Sequence, residues 1–303
     1  MPLVQGGCVT IGNFDGVHLG HQSMIARLKL RAGEAGVPAV VMTFDPPPVE
    51  LLRPGQLPPR LTTLEQKLEL LEQCGIDCTL VVPTTRDLLN LSPEQFFDEV
   101  VRDVLRASGM VEGPNFCFGH RREGTVETLA RLCQDHGMSI DIVEPVTRDG
   151  VVVSSTVIRG LVTQGRLAEA VELLGHPCRL RGTVVSGAER GRQLGFPTAN
   201  LDGVETLLPP HGVYAAVVQL DGTQWPAAVN IGPNPTFGEE ASRVEVHLIG
   251  YTGDLYGRPL DAGLLDRLRS IRKFPDAAAL REQLVLDCRE AEAAVSKWQE
   301  GRG

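Results

Sequence analysis

The feature that most constrains the fold is a glycine-rich stretch at residues 12–21, which reads Gly-Asn-Phe-Asp-Gly-Val-His-Leu-Gly-His. Residues 9–11 before it, Val-Thr-Ile, predict a strand, and the apolar spacing of residues 22–34 after it predicts a helix. A glycine-rich turn between a strand and a helix lets backbone N–H groups face an anion. His18 and His21 lie at the start of this helix, so the stretch predicts a polyphosphate site. The alternative is a tight turn with two hydrogen-bonded surface histidines.

The composition limits the class of protein. With 303 residues the chain is long enough for two domains, and 42% hydrophobic with 22% charged residues is typical of globular proteins. The net charge of −9 argues against a general nucleic-acid surface and against binding to anionic membranes. No apolar run approaches the ~20 residues of a membrane span, and no signal peptide is predicted. Seven cysteines without regular spacing indicate reduced thiols and a cytoplasmic location.

Strand and helix signals alternate through the first half of the chain. This alternation predicts an α/β domain whose parallel sheet has right-handed crossovers. The predicted strands after the first are residues 37–44, 76–82, 109–112 and 139–143, and the predicted helices are 64–73, 92–107, 125–136, one opening at 153–159, and 166–174. Gly175-His176-Pro177 then breaks the helical pattern, so we expect domains at residues 1–175 and 176–303.

The second half has a different pattern. Short apolar segments separated by turn residues predict a small antiparallel β-barrel. These segments are residues 180–185, 213–220, 227–231 and 244–249. Apolar residues at helical spacing predict a C-terminal helix at 277–298, whose apolar stripe we interpret as core packing. The fold class expected for the whole chain is therefore α/β followed by β.

Three hydroxyl residues, Ser154, Ser155 and Thr156, stand at the start of the predicted helix at 153–159. Hydroxyls at a helix start can donate to phosphate oxygens, and Arg159 on the first turn offers a bidentate guanidinium. Alternatively, these hydroxyl residues only cap the N-terminus of the helix and bind no ligand.

A second dense motif occupies residues 182–200, with glycines at 187, 191 and 195 that allow close approach to phosphates. Thr198 and Asn200 lie two residues apart, so both side chains point the same way on an extended chain. A hydroxyl and an amide oxygen are hard ligands suited to Mg²⁺. The alternative is a glycine-rich barrel hairpin without a ligand.

Both motifs resemble those of one known family. Residues 12–21 are similar to the HxGH motif of nucleotidyltransferases, in the form found in the FAD synthetase domain of bifunctional riboflavin kinase/FAD synthetases. Residues 182–200 resemble the riboflavin kinase motif of the same enzymes. The segments at 43–48, 113–119 and 154–159 also fit the family, which usually has acidic residues where this chain has Gly250 and Ile271.

The resemblance implies a Rossmann-like nucleotidyltransferase sheet followed by a kinase barrel, and it implies roles for residues in both. The implied catalytic residues are His18, His21, Arg159 and Glu245, and Glu245 takes the position of the family's base. The implied ATP-binding residues are Gly12, Phe14, Asp15, Gly16, Gly20, Ser154, Ser155, Thr156, Gly182, Gly187, Arg190, Gly191, Gly195, Thr198 and Asn200. The implied flavin-binding residues are Phe44, Pro46, Asn115 and Arg269, and Thr198 with Asn200 is the implied Mg²⁺ site.

The implied function is phosphorylation of riboflavin to FMN by ATP, and adenylylation of FMN to FAD with release of pyrophosphate. We expect small-molecule substrates only, and the sequence leaves the oligomeric state open. Two alternatives remain: a nucleotidyltransferase for another phosphorylated acceptor, and a flavin-binding regulator whose sites have decayed.

Overall fold

The computed structural model describes residues 4–187, 191, 194–233 and 243–301. The chain divides into two compact units. One consists of the residues up to Pro58 together with Thr62–Ser154, and the other of Pro59–Leu61 together with the residues from Ser155 onward. The boundary predicted between residues 175 and 176 stays a prediction, since the division by contacts lies about twenty residues earlier, at Ser154 and Ser155.

The first unit contains a five-stranded parallel sheet in the order β3-β2-β1-β4-β5, which confirms the predicted α/β fold. Its strands are β1 Cys8–Ile11, β2 Ala39–Asp45, β3 Cys78–Pro83, β4 Gly109–Glu112 and β5 Ser139–Ile142. The strand order reverses between β1 and β4. Ligands of open α/β sheets bind outside the carboxyl ends of the strands at such a reversal.

Helices cover both faces of this sheet. Successive strand residues point to opposite faces, so each strand contributes side chains to the core on both sides. Val9 and Met42 pack with Phe97 on one face, whereas Cys8 and Val41 pack with the first helix on the other. The helices are α1 Leu19–Ala35, α2 Pro48–Leu52, α3 Leu64–Gln73, α4 Arg86–Asn90, α5 Pro93–Gln95 and α6 Val126–Asp135. A π-helical segment, Phe96–Val104, continues α5, a 3₁₀ turn spans His120–Arg122, and β6 Thr147–Arg148 pairs with β7 Val151–Val152.

The second unit contains a closed antiparallel barrel in the order β10-β11-β12-β9-β8-β13, as the pattern of short strands predicted. Its strands are β8 Cys178–Val185, β9 Ala199–Asp202, β10 Gly212–Leu220, β11 Thr223–Gly232, β12 Arg243–Leu248 and β13 Pro259–Arg269. Alternate residues of β12, namely Val244, Val246 and Leu248, are buried, which leaves Glu245 and His247 on the opposite face.

The helices in the described part of this second unit include α7 Ser155–Thr163, α8 Leu167–Leu174 and the C-terminal α9 Ala277–Glu300. Val171 of α8 and Val295 of α9 form one buried cluster with Val217 and Leu265 of the barrel strands. Helix α8 is therefore part of the packing of the barrel, although its sequence continues the helical pattern of the first half.

This packing predicts that a truncated chain beginning at Ser155 is more stable than one beginning at Cys178. The shorter chain lacks α8, whose Leu167 and Leu174 are buried, and each such side chain contributes about 1.5–3 kcal/mol. Thermal unfolding followed by circular dichroism should therefore show a lower Tm for the chain that begins at Cys178. Equal Tm values would contradict the assignment of α8 to the barrel.

Candidate active sites

The turn after β1 is strained and is held by buried side chains. Phe14 and Val17 both have positive φ, 48° and 36°, which is uncommon for residues with a Cβ, and Gly16 has a φ of 81°. Both Phe14 and Val17 are 1% exposed. A strained backbone persists only where the surroundings determine it, and such strain clusters at ligand sites. The buried side chains of Phe14 and Val17 therefore anchor the turn in the core. Because its side chain is buried, Phe14 can contact a ligand only through its main chain.

Hydrogen bonds to Thr62 brace the same turn. The Thr62 hydroxyl accepts from the Gly16 N–H at 3.1 Å and donates to the Asp15 carboxylate at 3.2 Å. The Thr62 N–H donates to the same carboxylate oxygen at 3.1 Å. Asp15 thus ties the turn to the residues just before α3, and its implied contact with ATP stays a prediction.

The two histidines stack at the start of α1. His18 is the N-cap residue, and its Nδ1 accepts from the His21 N–H at 3.3 Å. The ring centroids lie 3.7 Å apart. A Cβ on Gly20 would lie 3.1 Å from Cε1 of His18, so the glycine provides the room for this ring. A Cβ on Gly12 would likewise lie 3.2 Å from the Phe14 ring.

His21 is the chemically distinctive member of the pair. Burial lowers its pKa well below its ordinary range, and the neighbouring His18 and the positive charge of Lys67 lower the pKa further. Its Nδ1 is buried and has no hydrogen-bond partner within the described residues. The ring is therefore neutral near pH 7 and can donate one N–H to an added ligand.

Lys67 was missed in the sequence, because a lysine in an amphipathic helix is normally assigned to the solvent side. It is only 6% exposed, on α3, and its Nζ donates to the Thr43 hydroxyl at 3.4 Å near the end of β2. Thr43 in turn donates to the Asn13 carbonyl at 3.4 Å. A positive charge at this position favours an anionic ligand near the turn.

The implied flavin residues of the first unit stand at the same edge of the sheet as the histidine turn. Phe44 and Pro46 lie at the end of β2, and Asn115 follows β4, so the three flank β1 from both sides. Phe44 packs in part against the core, and Asn115 is exposed. Their contact with flavin stays a prediction.

The hydroxyl segment at residues 154–156 spans the division between the units. The carbonyl oxygen of Val153, the residue before Ser154, lies beside Gly20. A Cβ on Gly20 would be 3.5 Å from this oxygen. Ser155, Thr156 and Arg159 belong to α7 of the second unit. Arg159 donates through Nε to the Pro59 carbonyl at 2.8 Å. The predicted grouping of Arg159 with the histidines stays a prediction.

A row of three polar side chains crosses the barrel on neighbouring strands. Asn200 of β9 stands opposite Glu245 of β12, which stands opposite Asn230 of β11. Paired residues of antiparallel strands share a face, so the three side chains are adjacent. The Asn230 amide donates to the Glu245 carboxylate at 3.2 Å. This hydrogen bond orients a half-buried carboxylate next to Asn200.

Asn200 carries an unsatisfied oxygen. Its Oδ1 is buried without a hydrogen-bond partner in the described part of the chain. A Cβ on Gly187 would lie 2.1 Å from the Asn200 Nδ2, so only glycine fits there. A buried orphan oxygen is costly unless a ligand or ion satisfies it.

The remaining glycines of the 182–200 motif are needed for different structural reasons. Gly182 lies close to β9, because a Cβ would be 2.5 Å from the Asp202 carbonyl, and Gly195 has a φ of 89°. A Cβ on Gly191 would lie 2.4 Å from the Phe196 carbonyl. Arg190 lies outside the described residues.

A cavity of about 520 Å³ opens next to Thr198, which lies two residues before Asn200. It is lined by Thr198, by Val246 of the barrel and by the segment Tyr251–Tyr256 that follows β12. The Tyr251 ring packs edge-on against Trp225. The cavity has room for a nucleotide. Its wall at residues 251–256 was not identified from the sequence, because this segment has no glycine-rich or periodic pattern of its own.

His247 supports the segment that carries Thr198. Its Nδ1 donates to the Pro197 carbonyl at 2.7 Å, since a carbonyl can only accept. The Phe196 ring lies edge-on at 5.4 Å. Burial lowers the pKa of His247, and the Pro197 hydrogen bond opposes this in part. These contacts give His247 a structural role in positioning residues 196–198.

Arg269 is engaged within the protein. Its guanidinium binds the buried Asp287 of α9 through two hydrogen bonds, of 2.9 and 2.7 Å. Gln283 donates to the same carboxylate at 2.8 Å. The pair joins β13 to the C-terminal helix, and the implied flavin contact of Arg269 stays a prediction.

Two further features concern metals and membranes. Within the described ranges, no three His, Cys, Asp or Glu side chains are grouped so that they could hold a metal ion. Among the described helices, none has the length and apolar character that a membrane crossing requires.

Comparison with known proteins gives two family models. Residues 2–157 match the family described as FAD synthetase, and residues 174–295 match the family described as riboflavin kinase.

Relatives with the name bifunctional riboflavin kinase/FMN adenylyltransferase align over most of the chain. The protein from Escherichia coli strain K12 is 38% identical, over 93% of this chain and 91% of its own length. The protein from Pseudomonas fluorescens is also 38% identical, over 96% and 94%, and that from Bacillus subtilis is 37% identical, over 93% and 90%.

A solved structure is similar over nearly the whole chain. It is described as a macrolide-efflux protein from Streptococcus pneumoniae, with a TM-score of 0.84, 31% identity, and coverage of 93% of this chain and 92% of that one. The name of that protein differs from those of the curated relatives. Both family models and the full-length relatives agree with one another, and they do not favour the two alternatives left by the sequence. The chain therefore belongs to the family of bifunctional riboflavin kinase/FMN adenylyltransferases.

Proposed function

We propose that the two activities of this family are divided between the two groups of residues, with FMN adenylylation at the histidine turn and riboflavin phosphorylation at the barrel row. The observation that carries this assignment is the placement of Glu245. A half-buried carboxylate stands beside Asn200 in the barrel, whereas the Asp15 carboxylate of the turn is bound to Thr62.

Adenylyl transfer suits the histidine turn because it requires donors and no base. The attacking group is the FMN phosphate, which is already anionic at neutral pH. Catalysis then consists of alignment and of stabilising charge on the ATP α-phosphate and on the departing pyrophosphate. The neutral His21 ring and the N-terminus of α1 supply donors, and Lys67 supplies a fixed charge. Arg159, Ser154, Ser155 and Thr156 are proposed to bind phosphate oxygens as well.

Riboflavin phosphorylation requires a base, because the attacking ribityl hydroxyl is neutral. Glu245 accepts the hydroxyl proton as the hydroxyl oxygen attacks the γ-phosphate of ATP. Asn230 holds the Glu245 carboxylate in place through its amide hydrogen bond. The cavity beside Thr198 receives the nucleotide.

The barrel residues fit Mg²⁺. The orphan Oδ1 of Asn200 and the exposed hydroxyl of Thr198 are hard oxygen donors on one extended segment. We propose that both contact the ion, while ATP and water complete its shell. Bound Mg²⁺ neutralises phosphate charge and polarises the transferred group.

Further parts of the proposal concern substrates and location. ATP, riboflavin and FMN are the proposed small-molecule ligands, with no nucleic acid or membrane partner. The flavin contacts are Phe44, Pro46 and Asn115 in the first unit and the Arg269 region in the second. All seven cysteines are free thiols, which supports a reducing compartment such as the cytoplasm.

Two substitutions should interrupt the pathway at different steps. His21→Ala removes a donor to developing charge, so FMN adenylylation should fall by roughly 10²–10³ while riboflavin phosphorylation continues. Glu245→Gln keeps the hydrogen bond from Asn230 but removes the base, so riboflavin phosphorylation should fall by roughly 10²–10⁴. Products from riboflavin and, separately, from FMN are measured by HPLC.

The supplied FMN is the control in this experiment, because its phosphate needs no deprotonation by Glu245. A folded Glu245→Gln protein that loses FMN adenylylation as severely as riboflavin phosphorylation would show that the assignment of one reaction to each site is wrong.

Gly20→Ala should impair adenylylation through the His18 ring, which the added methyl group would displace. We expect a loss of about 10–100-fold, since a displacement of about 1 Å can cost up to 10²-fold. Gly33→Ala is the matched control, because it adds the same methyl group to the same helix with nothing within 4 Å. The measurement is the initial rate of FAD formation from FMN. Equal rates for the two variants would argue against a role for the His18 ring position.

Removal of divalent cations should stop both reactions, and Mg²⁺ should restore them. Asn200→Ala should raise the Mg²⁺ concentration needed for half-maximal riboflavin phosphorylation by about tenfold, as expected for a lost oxygen ligand. The Mg²⁺ requirement of FMN adenylylation serves as the internal control and should not change. An unchanged Mg²⁺ titration of the kinase reaction would exclude Asn200 as a ligand.

A further inference from the structure

Glu112 is a buried acid for which the proposed reactions have no use. It is the last residue of β4 and is 1% exposed. A carboxyl group in such a place is costly unless it makes a specific hydrogen bond. Glu112 lies where the strand order of the sheet reverses, and the hydrogen-bond partner of its carboxyl group indicates its role.

The hydrogen bond of Glu112 replaces part of the sheet. Strands β1 and β2 pair at all four residues of β1, whereas β1 and β4 pair only at Cys8 with Gly109 and at Val9 with Met110. Two residues further on, the Ile11 N–H donates to the Glu112 Oε1 at 2.8 Å. A continued parallel ladder would offer this N–H a main-chain carbonyl of β4. The side chain thus occupies the gap where the two strands part.

This gap lies between the two segments that flank the first site. Ile11 directly precedes Gly12 of the histidine turn, and Glu112 directly precedes Gly113 of the segment at 113–119. On its other side, the Glu112 carbonyl accepts from the Val143 N–H at 2.8 Å, so the main chain of Glu112 stays in the sheet with β5. One side-chain hydrogen bond therefore joins the two strand ends from which these segments start.

We propose that Glu112 is a positioning residue for adenylyl transfer, whose side-chain oxygen holds the ends of β1 and β4 apart and so places the histidine turn relative to the segment at 113–119. The inference rests on the proposed assignment of adenylyl transfer to the first unit. Glu112 contacts neither substrate in this role, and it acts through Ile11.

The charge of the acid is not needed for this role. Burial raises the pKa of the Glu112 carboxyl well above its ordinary value, and the hydrogen bond from Ile11 offsets only part of the rise. Burial thus favours the neutral form of this acid more than it would for an exposed glutamate. A neutral amide of the same length should then replace it.

The experiment compares three variants of the full chain. Glu112→Gln keeps an acceptor oxygen at the same distance, Glu112→Asp keeps an acceptor on a side chain one methylene shorter, and Glu112→Leu removes the acceptor at similar volume. The readouts are kcat and KM for FAD formation from FMN and ATP, the rate of riboflavin phosphorylation, and the Tm.

We expect Glu112→Gln to stay within about threefold of the parent chain. Glu112→Asp and Glu112→Leu should lower kcat/KM for adenylylation by roughly 10–100-fold, because the reacting groups are displaced. Riboflavin phosphorylation should be unchanged in all three. If Glu112→Leu does not fold, Glu112→Asp decides alone.

Two results would overturn the proposal. One is a lowered Tm with unchanged kcat and KM for adenylylation in Glu112→Asp, which shows a purely structural role. The other is a loss in Glu112→Gln as large as in Glu112→Asp, which shows that the charge matters. A failure of the proposed function is separate, because His21→Ala would then leave adenylylation intact whatever the Glu112 variants do.

Discussion

The hydrogen bonds between Thr62 and the turn at Asp15 and Gly16 are the constraint on which the first site depends. A turn with two non-glycine residues at positive φ is not stable by itself, and single positions of this kind cost of order 1–3 kcal/mol. The burial of Phe14 and Val17 in the hydrophobic core offsets this cost. Thr62, just before α3, fixes the turn through its hydrogen bonds to Gly16 and Asp15. Only with the turn fixed can His18 cap α1 and stack on His21.

The second site depends on a different constraint, the register of the barrel. Antiparallel pairing sets Asn200, Glu245 and Asn230 side by side on three strands, so no loop has to place the base next to the amide. Rigid strands position functional groups with smaller error than loops do. The barrel therefore brings a proton acceptor and an oxygen ligand together at little conformational cost.

The sequence predicted the parallel sheet, the barrel, the C-terminal helix and the turn at residues 12–21, because each has a clear period or a clear set of turn residues. It did not predict β13, whose alternation is disturbed by two register shifts against β10. It also missed Lys67, since burial of a cation depends on tertiary contacts that no local pattern shows. Glu112 escaped notice for the same reason, as its partner Ile11 is about a hundred residues away.

The burial of Phe14 also affects how the motif at residues 12–21 is to be interpreted. Phe14, Val17 and Asp15 serve the folding of the turn, and Gly12 and Gly20 make room for neighbouring rings within the protein. Selection for a stable protein would therefore preserve these letters even in a descendant that no longer used the site. The presence of Phe14, Val17 and Asp15 in such a motif therefore indicates a stable turn, whereas the two histidines indicate the chemistry.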